Sequence, residues 1–367
     1  MQTLLLFYRL PLLVDHPLLL RLEGLEEIQP AALARLRHEC RGALRQLDHL
    51  RQIAAQWRIE PGSQGIQTGI ARLQHSPLTC LYSQPRVQDP YTLAGMQFPN
   101  RVEFPIVFFS LELIGAIANT ISPDFRRREV EYILRFSNSK AFVCAASFKG
   151  FDYAAMIDDL RGDLPSLKTV VVSGETIVSN VHSLEAGLAL CEPLALSDRV
   201  VMDPDAVMRM AFTSGTTGDP KGVMHCFNTT LYAAEVINSE MHVTSDEVLL
   251  IWLPVGLNWG YLCLLQTVWG GARAVLMEKF QATRALELIE KHRATFIPTA
   301  PASLLALLNV PDFQKYNCTS LRVVITGGAS AAIETIRAYQ KQMKGHLLEL
   351  YGMLETGFHT FTRFGDD

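Results

Sequence analysis

Residues 212–225 read Phe-Thr-Ser-Gly-Thr-Thr-Gly-Asp-Pro-Lys-Gly-Val-Met-His, and the reading of this stretch decides the fold. Four hydroxyl residues, Thr213, Ser214, Thr216 and Thr217, are interleaved with Gly215 and Gly218, and Lys221 closes the run. Glycine allows close approach of the backbone to a ligand. Successive N–H groups and hydroxyls in such a turn form a concave donor surface for phosphate oxygens, and Lys221 adds a mobile cation with three donors. A Walker-type loop needs Gly directly before the Lys and Ser or Thr directly after it, opening a helix. Here Pro220 precedes Lys221 and Gly222 follows it. The flanks, residues 207–212 and 222–227, both read as strand, so the motif is predicted to be a phosphate-binding loop between two strands. The competing reading is a plain Gly/Thr hairpin turn, but turn chemistry alone does not call for four hydroxyls and a Lys in one frame.

Working outward, the 367 residues carry a formal net charge of −4 and are 49% hydrophobic. That suffices for a sizeable core in one large or two moderate domains, and the near-neutral charge gives no nucleic-acid footprint. Cys40, Cys80, Cys144, Cys191, Cys226, Cys263 and Cys318 are scattered without a C-x-x-C pair. They read as reduced, mostly buried thiols of a cytoplasmic protein, not as a zinc site or a disulfide frame. The apolar residues 1–22 are broken by Arg9, Pro11, Asp15 and Pro17, which predicts neither a signal peptide nor a membrane span.

Residues 1–95 form an atypical segment. Leu33, Leu36, Leu44, Leu47 and Leu50 recur near helical spacing within 31–57, and 61–91 loses all period. The segment is either an alternative N-terminus or a frame-shifted translation joined to the rest near Leu93; the abrupt change in composition favours the second. From Met96 the chain becomes regular. An apolar helix is expected over 102–117, a link at 118–122, helices over 126–137 and 152–160, strands over 139–144 and 167–172, and a loose excursion over 173–203. Beyond the glycine-rich stretch, Asn228 is expected to cap a helix running to Glu240. Strands follow at 246–253, 272–277, 294–297, 321–325 and 346–350, with helices up to 269 and over 282–292, 301–308 and 333–343. This alternation predicts an α/β fold of mostly parallel sheets covered by helices. Four polar, Gly-rich loops follow strands, at 213–222, 254–260, 326–330 and 351–357. Ligands in open α/β sheets bind beyond the carboxyl ends of strands, so these loops are expected to share one crevice.

Thr-Ser-Gly-Thr-Thr-Gly-Asp-Pro-Lys-Gly at 213–222 resembles the phosphate loop of the adenylate-forming superfamily, which includes acyl-CoA synthetases, aryl-acid adenylating enzymes and luciferases. The resemblance implies that residues 96–367 are part of the family's large N-terminal domain. The ribose-binding Asp, the hinge and the C-terminal domain with its Lys are expected beyond residue 367. It also implies a two-step reaction in which a carboxylic acid and ATP form acyl-AMP and a thiol, usually coenzyme A, then displaces AMP. In that scheme Thr213, Ser214, Gly215, Thr216, Thr217, Gly218 and Lys221 hold phosphates. Tyr351, Gly352 and Met353 match the adenine-side motif, and Glu355 is the ligand for Mg²⁺. Lys221 and Glu355 are the residues expected to carry the chemistry. Gly327, Gly328 and Ala329 match the loop shared by adenine and the acyl group. Asn258 and Trp259 face the acid; Asn258 has a local turn role as its alternative, and Tyr351 has a core role as its alternative. Leu354 departs from the family's usual Thr, whose hydroxyl touches the α-phosphate, leaving Thr356 as a substitute. Leu257 stands where aryl-acid members carry His. His225 and His359 are lone histidines without a visible partner. The expected substrates are thus a small carboxylic acid, ATP and CoA; a carrier protein as thiol donor, or a catalytically impaired nucleotide-binding remnant, are the alternatives.

Overall fold

The computed structural model describes residues 92–190, 200, 202–213 and 220–366. The helix expected over 31–57, the irregular stretch 61–91 and the loop residues Ser214, Gly215, Thr216, Thr217 and Gly218 lie outside the described residues.

The first sheet is built from β1 (Leu93–Gln97), β2 (Ile117–Ile121), β3 (Ala141–Ala145), β6 (Thr169–Ser173), β7 (His182–Ser183), β8 (Val207–Phe212) and β9 (Gly222–Cys226). Between them run α1 (Glu103–Leu113), α2 (Arg127–Phe136), α3 (Tyr153–Leu160) and α4 (Leu184–Leu190), and β4 (Ser147–Phe148) pairs with β5 (Phe151–Asp152) as a small hairpin. The strand order is β7-β6-β3-β1-β2-β8-β9. All neighbours are parallel except β8 and β9, which form an antiparallel hairpin at the sheet edge.

The second sheet follows α5 (Phe227–Glu240). It contains β10 (Val248–Ile251), β11 (Arg273–Leu276), β12 (Phe296–Thr299), β13 (Val323–Gly327), β14 (His346–Met353) and β15 (Gly357–Phe361). The order is β11-β10-β12-β13-β14-β15, parallel but for the last pair. Its crossovers are α6 (Asn258–Gly270), α7 (Ala282–His292), α8 (Pro301–Leu308) and α9 (Ile333–Gln342).

Side chains of a strand alternate between faces, and that period sorts the core into three apolar layers. In β3, Ala141, Val143 and Ala145 face a central layer, while Phe142 and Cys144 face α2 and α3. In β10, Leu249 and Ile251 enter the same central layer, while Val248 and Leu250 meet α7, α8 and α9. The central layer therefore takes one face of each sheet, with α1, α5 and α6 between them. The sequence of α6 fits that place: residues 260–268 are all buried, as expected of a helix apolar all round. The outer α7 is amphipathic, burying Ala285, Leu286, Leu288 and Ile289 and exposing Arg284, Glu287, Glu290 and Lys291. Asp152 caps α3 by accepting from the Ala155 N–H at 2.8 Å.

Several local expectations are corrected. Residues 118–122 are not a link but most of β2, a central strand. Its apolar run is broken by Asn119 and Thr120, yet both are buried; the Asn119 amide donates to Ser137 Oγ at 3.0 Å. The first apolar helix stops at Leu113 rather than 117. The excursion at 173–203 contains β7 and α4. Asn228 does not cap α5; the helix begins at Phe227, and Asn228 Nδ2 donates to Asp205 Oδ1 at 2.6 Å. The loop expected at 351–357 is the tip of an antiparallel hairpin, β14–β15. Among the described residues no helix is long and apolar enough to cross a membrane, and no cysteine there is in a disulfide, with Cys144 and Cys263 buried and Cys226 and Cys318 half-buried.

Candidate functional site

The β8–β9 hairpin brings the two ends of the 212–225 motif together. The Thr213 N–H donates to the Lys221 carbonyl at 3.1 Å, and the Lys221 N–H donates to Thr213 Oγ1 at 3.2 Å. The segment between is thus tied at its base by two hydrogen bonds, with the Lys221 side chain exposed. The strands expected on either side of the motif are β8 and β9, the second ending at Cys226 rather than 227.

Three of the four polar loops meet. Asn258, the first residue of α6, donates from Nδ2 to the Met353 carbonyl at 3.1 Å, joining loop 254–260 to the β14–β15 hairpin. An ideal Cβ on Gly327 would lie 3.0 Å from Trp259 Cη2 and 2.5 Å from the Leu350 carbonyl oxygen, so the end of β13 packs directly on Trp259 and β14. The loop 254–260 is in turn held from the first sheet by Asn100. Its Nδ2 donates to the Leu253 carbonyl at 2.8 Å and its Oδ1 accepts from the Val255 N–H at 2.9 Å.

The β14–β15 tip presents its motif residues to solvent. Tyr351 is 58% exposed, which removes the core role weighed for it, and its ring lies 5.5 Å from that of His359. Met353 and Glu355 are exposed and Gly352 is half-buried; Gly328 and Ala329 are exposed at the end of β13. Thr356 Oγ1 is hydrogen-bonded to His359 Nε2, so this histidine has partners on its own hairpin. Among the described residues Glu355 enters no hydrogen bond or ion pair, and no group of three or more His, Cys, Asp or Glu could hold a metal. One free carboxylate fits Mg²⁺, which keeps several waters and takes one or two carboxylates beside substrate phosphates.

Beneath these loops lie Arg209, which sequence reading passed over, and His225, which it left as a lone histidine. Arg209, on β8, is fully buried. Its Nε donates to Thr120 Oγ1 at 3.2 Å, Nη1 to Asn258 Oδ1 at 3.1 Å and Nη2 to the Gly256 carbonyl at 3.4 Å. The guanidinium carbon lies 4.3 Å from the centre of the Tyr261 ring. Burial draws its pKa down to about 10, partly offset by Tyr261, so it stays charged at neutral pH. His225 is the cross-strand partner of Arg209 and is buried. Burial first, and the Arg209 charge second, lower its pKa to about 4, against a hydrogen-bonding interaction with the Leu354 backbone. It is therefore neutral at pH 7. Both amide ends of Asn258 are thus engaged, one with Arg209 and one with Met353. The sequence signal for Arg209 was a lone cation inside the strand pattern Val-Met-Arg-Met-Ala-Phe.

4-Coumarate–CoA ligase 1 of Solanum tuberosum is 32% identical over 273 residues, 71% of this chain and 47% of that protein. The medium-chain fatty-acid–CoA ligase of Escherichia coli (strain K12) is 28% identical over 273 residues, 74% of this chain and 48% of that protein. The chain spans about half the length of such curated relatives. The crystal structure of the anthranilate CoA ligase AuaEII in complex with anthranoyl-AMP superposes with a TM-score of 0.74 at 22% identity, covering 82% of this chain and 57% of that one; it shares the fold. A family model described as AMP-binding enzyme matches residues 89–367, a span that takes in both sheets and every loop gathered above. The chain belongs to the AMP-binding enzyme family.

Proposed function

We propose that the chain from β1 onward forms the nucleotide-binding part of an ATP-dependent carboxylic acid–CoA ligase; the boundary expected at 95 moves ahead of Leu93, because residues 93–95 begin a strand that pairs with β2 and β3. The observation that carries this reading is the meeting of loops 254–260 and 351–357 and the end of β13 through Asn258, Trp259 and Gly327. Beside them stands a hairpin whose ends are Thr213 and Lys221.

In the reaction, a carboxylate oxygen of the acid attacks the α-phosphorus of ATP. The bond to pyrophosphate breaks, giving acyl-AMP. A thiol sulfur then attacks the acyl carbon, and AMP leaves with the electron pair of the mixed anhydride. Such chemistry depends on positioning and charge neutralisation more than on covalent help from the protein. Thr213, Ser214, Gly215, Thr216, Thr217, Gly218 and Lys221 hold phosphates. The exposed Tyr351 ring offers a π face to adenine, while Gly327, Gly328, Ala329, Gly352 and Met353 supply backbone around it. Glu355 would hold Mg²⁺, which supplies charge neutralisation on the phosphates when bound. Trp259 walls the acid pocket, and Asn258 orders its mouth. The relatives named above act on aromatic and on fatty acids, and the Leu257–Asn258–Trp259 run favours an aromatic or alicyclic acid.

A second reading has its own observation. Leu354 brings no hydroxyl to the α-phosphate, and the nearby Thr356 hydroxyl is already bonded to His359. On that reading the chain binds ATP but adenylates poorly. ATP–pyrophosphate exchange with a panel of carboxylic acids, run beside ATP-binding calorimetry, separates the two. Exchange supports the ligase; binding without exchange supports the impaired binder. Lys221→Ala should weaken ATP at least ~10-fold, the scale of a charge-assisted phosphate contact, and an unchanged affinity refutes the loop assignment.

A further inference from the structure

Arg209 is a cation that the core does not neutralise. It is wholly buried, and its hydrogen bonds among the described residues go only to neutral oxygens: Thr120 Oγ1, Asn258 Oδ1 and the Gly256 carbonyl. None of its described partners is a carboxylate. Burying a guanidinium without an anion is costly, and parallel-sheet packing gives no reason for it, since this strand is otherwise apolar. What the side chain supplies is geometry. Its planar fork fixes donor directions in a way an ammonium cannot, and here the fork sets three oxygens on two separate parts of the fold: β2, beside it in the first sheet, and the loop leading into α6.

The chain of contacts continues. The Asn258 amide, oriented at Oδ1 by Arg209, donates from Nδ2 to the Met353 carbonyl at the β14–β15 tip. This route starts on the strand pair that carries Thr213 and Lys221 and ends on the hairpin that carries Tyr351 and Glu355. We propose that Arg209 is a positioning residue: acting through Asn258, it fixes the Tyr351–Glu355 hairpin relative to the Thr213–Lys221 hairpin. The consequence for ATP rests on the functional reading above; the mechanical consequence does not.

Two measurements on the full chain test this. The first is hydrogen exchange. In Arg209→Met, amides in 254–260 and 351–357 should exchange at least ~10-fold faster, as expected of a locally released segment, while β3 and β6 keep wild-type rates. Acceleration spread evenly over both sheets, or none at either loop, overturns the proposal. The second is a double-mutant cycle on Mg·ATP affinity. Arg209→Met and Asn258→Ala should each weaken ATP about 10-fold, and the double variant no further, because the two residues act in series. A double variant weakened by the product of the two, about 100-fold, overturns action through Asn258. Should Arg209→Met not fold, Arg209→Lys keeps the charge without the fork, and the same localised acceleration is expected. If the wild-type chain binds no ATP, the functional reading fails while the exchange pattern still decides the role of Arg209.

Discussion

Gly327 and Gly328 are adjacent, yet alanine at each should fail for a different reason and by a different amount. At Gly327 the backbone is ordinary strand, but an added Cβ would sit 2.5 Å from the Leu350 carbonyl oxygen and 3.0 Å from Trp259 Cη2. The first obstacle is backbone on the partner strand, in register with Gly327, and cannot rotate aside. Relief requires β13 and β14 to part or Trp259 to leave its place. Overpacking of this kind costs about 1–3 kcal/mol, and the rigid partner places Gly327→Ala near 3 kcal/mol on the same scale. At Gly328 an added Cβ meets nothing within 4 Å, but φ is +80°. The cost there is conformational alone, about 1 kcal/mol for an L-residue held in the left-handed region. Equilibrium urea unfolding of both variants gives the comparison directly. The reasoning is refuted if Gly327→Ala loses no more stability than Gly328→Ala. Because Trp259 takes part of the clash, Gly327→Ala should also change acid-dependent pyrophosphate exchange.

Tyr351→Ala should weaken ATP binding about 5- to 30-fold, the equivalent of about 1–2 kcal/mol of base–aromatic stacking, with little change in melting temperature because the ring is mostly exposed. Calorimetry and a thermal melt on the same sample check both halves. His225, with a folded pKa of about 4 against an ordinary value of 6.5, is protonated first in the unfolded chain. Its contribution is complete above pH 6.5 and is lost as pH falls from 6.5 towards 4; wild-type stability should drop by about 2–3 kcal/mol across that window relative to His225→Gln. Unfolding titrations at pH 7 and 4.5 that run parallel for the two proteins exclude it. Glu112 is buried with Oε1 unpartnered, and burial raises its pKa well above the usual carboxylate range. The folded chain holds that proton after the unfolded chain has released it, so stability is eroded as pH rises from the unfolded pKa through the folded one. Glu112→Gln should therefore be the more stable protein at alkaline pH, and the two curves should converge in acid.

Much of the architecture was legible because parallel sheets covered on both faces write near-continuous apolar runs separated by amphipathic helices. α7 and α8 lie over the expected residues, and β8 runs from Val207 to Phe212 as read. β2 was missed because Asn119 and Thr120 interrupt its run, and their burial depends on partners far off in sequence, Ser137 and Arg209. The β14–β15 pairing was missed because a glycine-rich tip looks like a loop until its second strand is seen to pair. The site was legible as separate motifs, but not as a connected object. Nothing local to Asn258 says that its amide spans Arg209 and Met353, which stand 49 and 95 residues away. Nor does anything local to Asn100 say that its side chain holds Leu253 and Val255, more than 150 residues away.

The central apolar layer has a consequence for how the molecule comes apart. It draws on one face of each sheet and on α1, α5 and α6 between them, so neither sheet owns a complete core of its own. Separating the sheets would expose that layer on both, and the cost of doing so ties their unfolding into one cooperative event. A chain cut between β9 and β10 should accordingly give two pieces that are each poorly folded alone and regain structure on mixing. The same sharing limits how such a molecule can be recombined. The half carrying Lys221 and the half carrying Tyr351 cannot be exchanged separately between relatives without re-fitting the helices that both of them pack against.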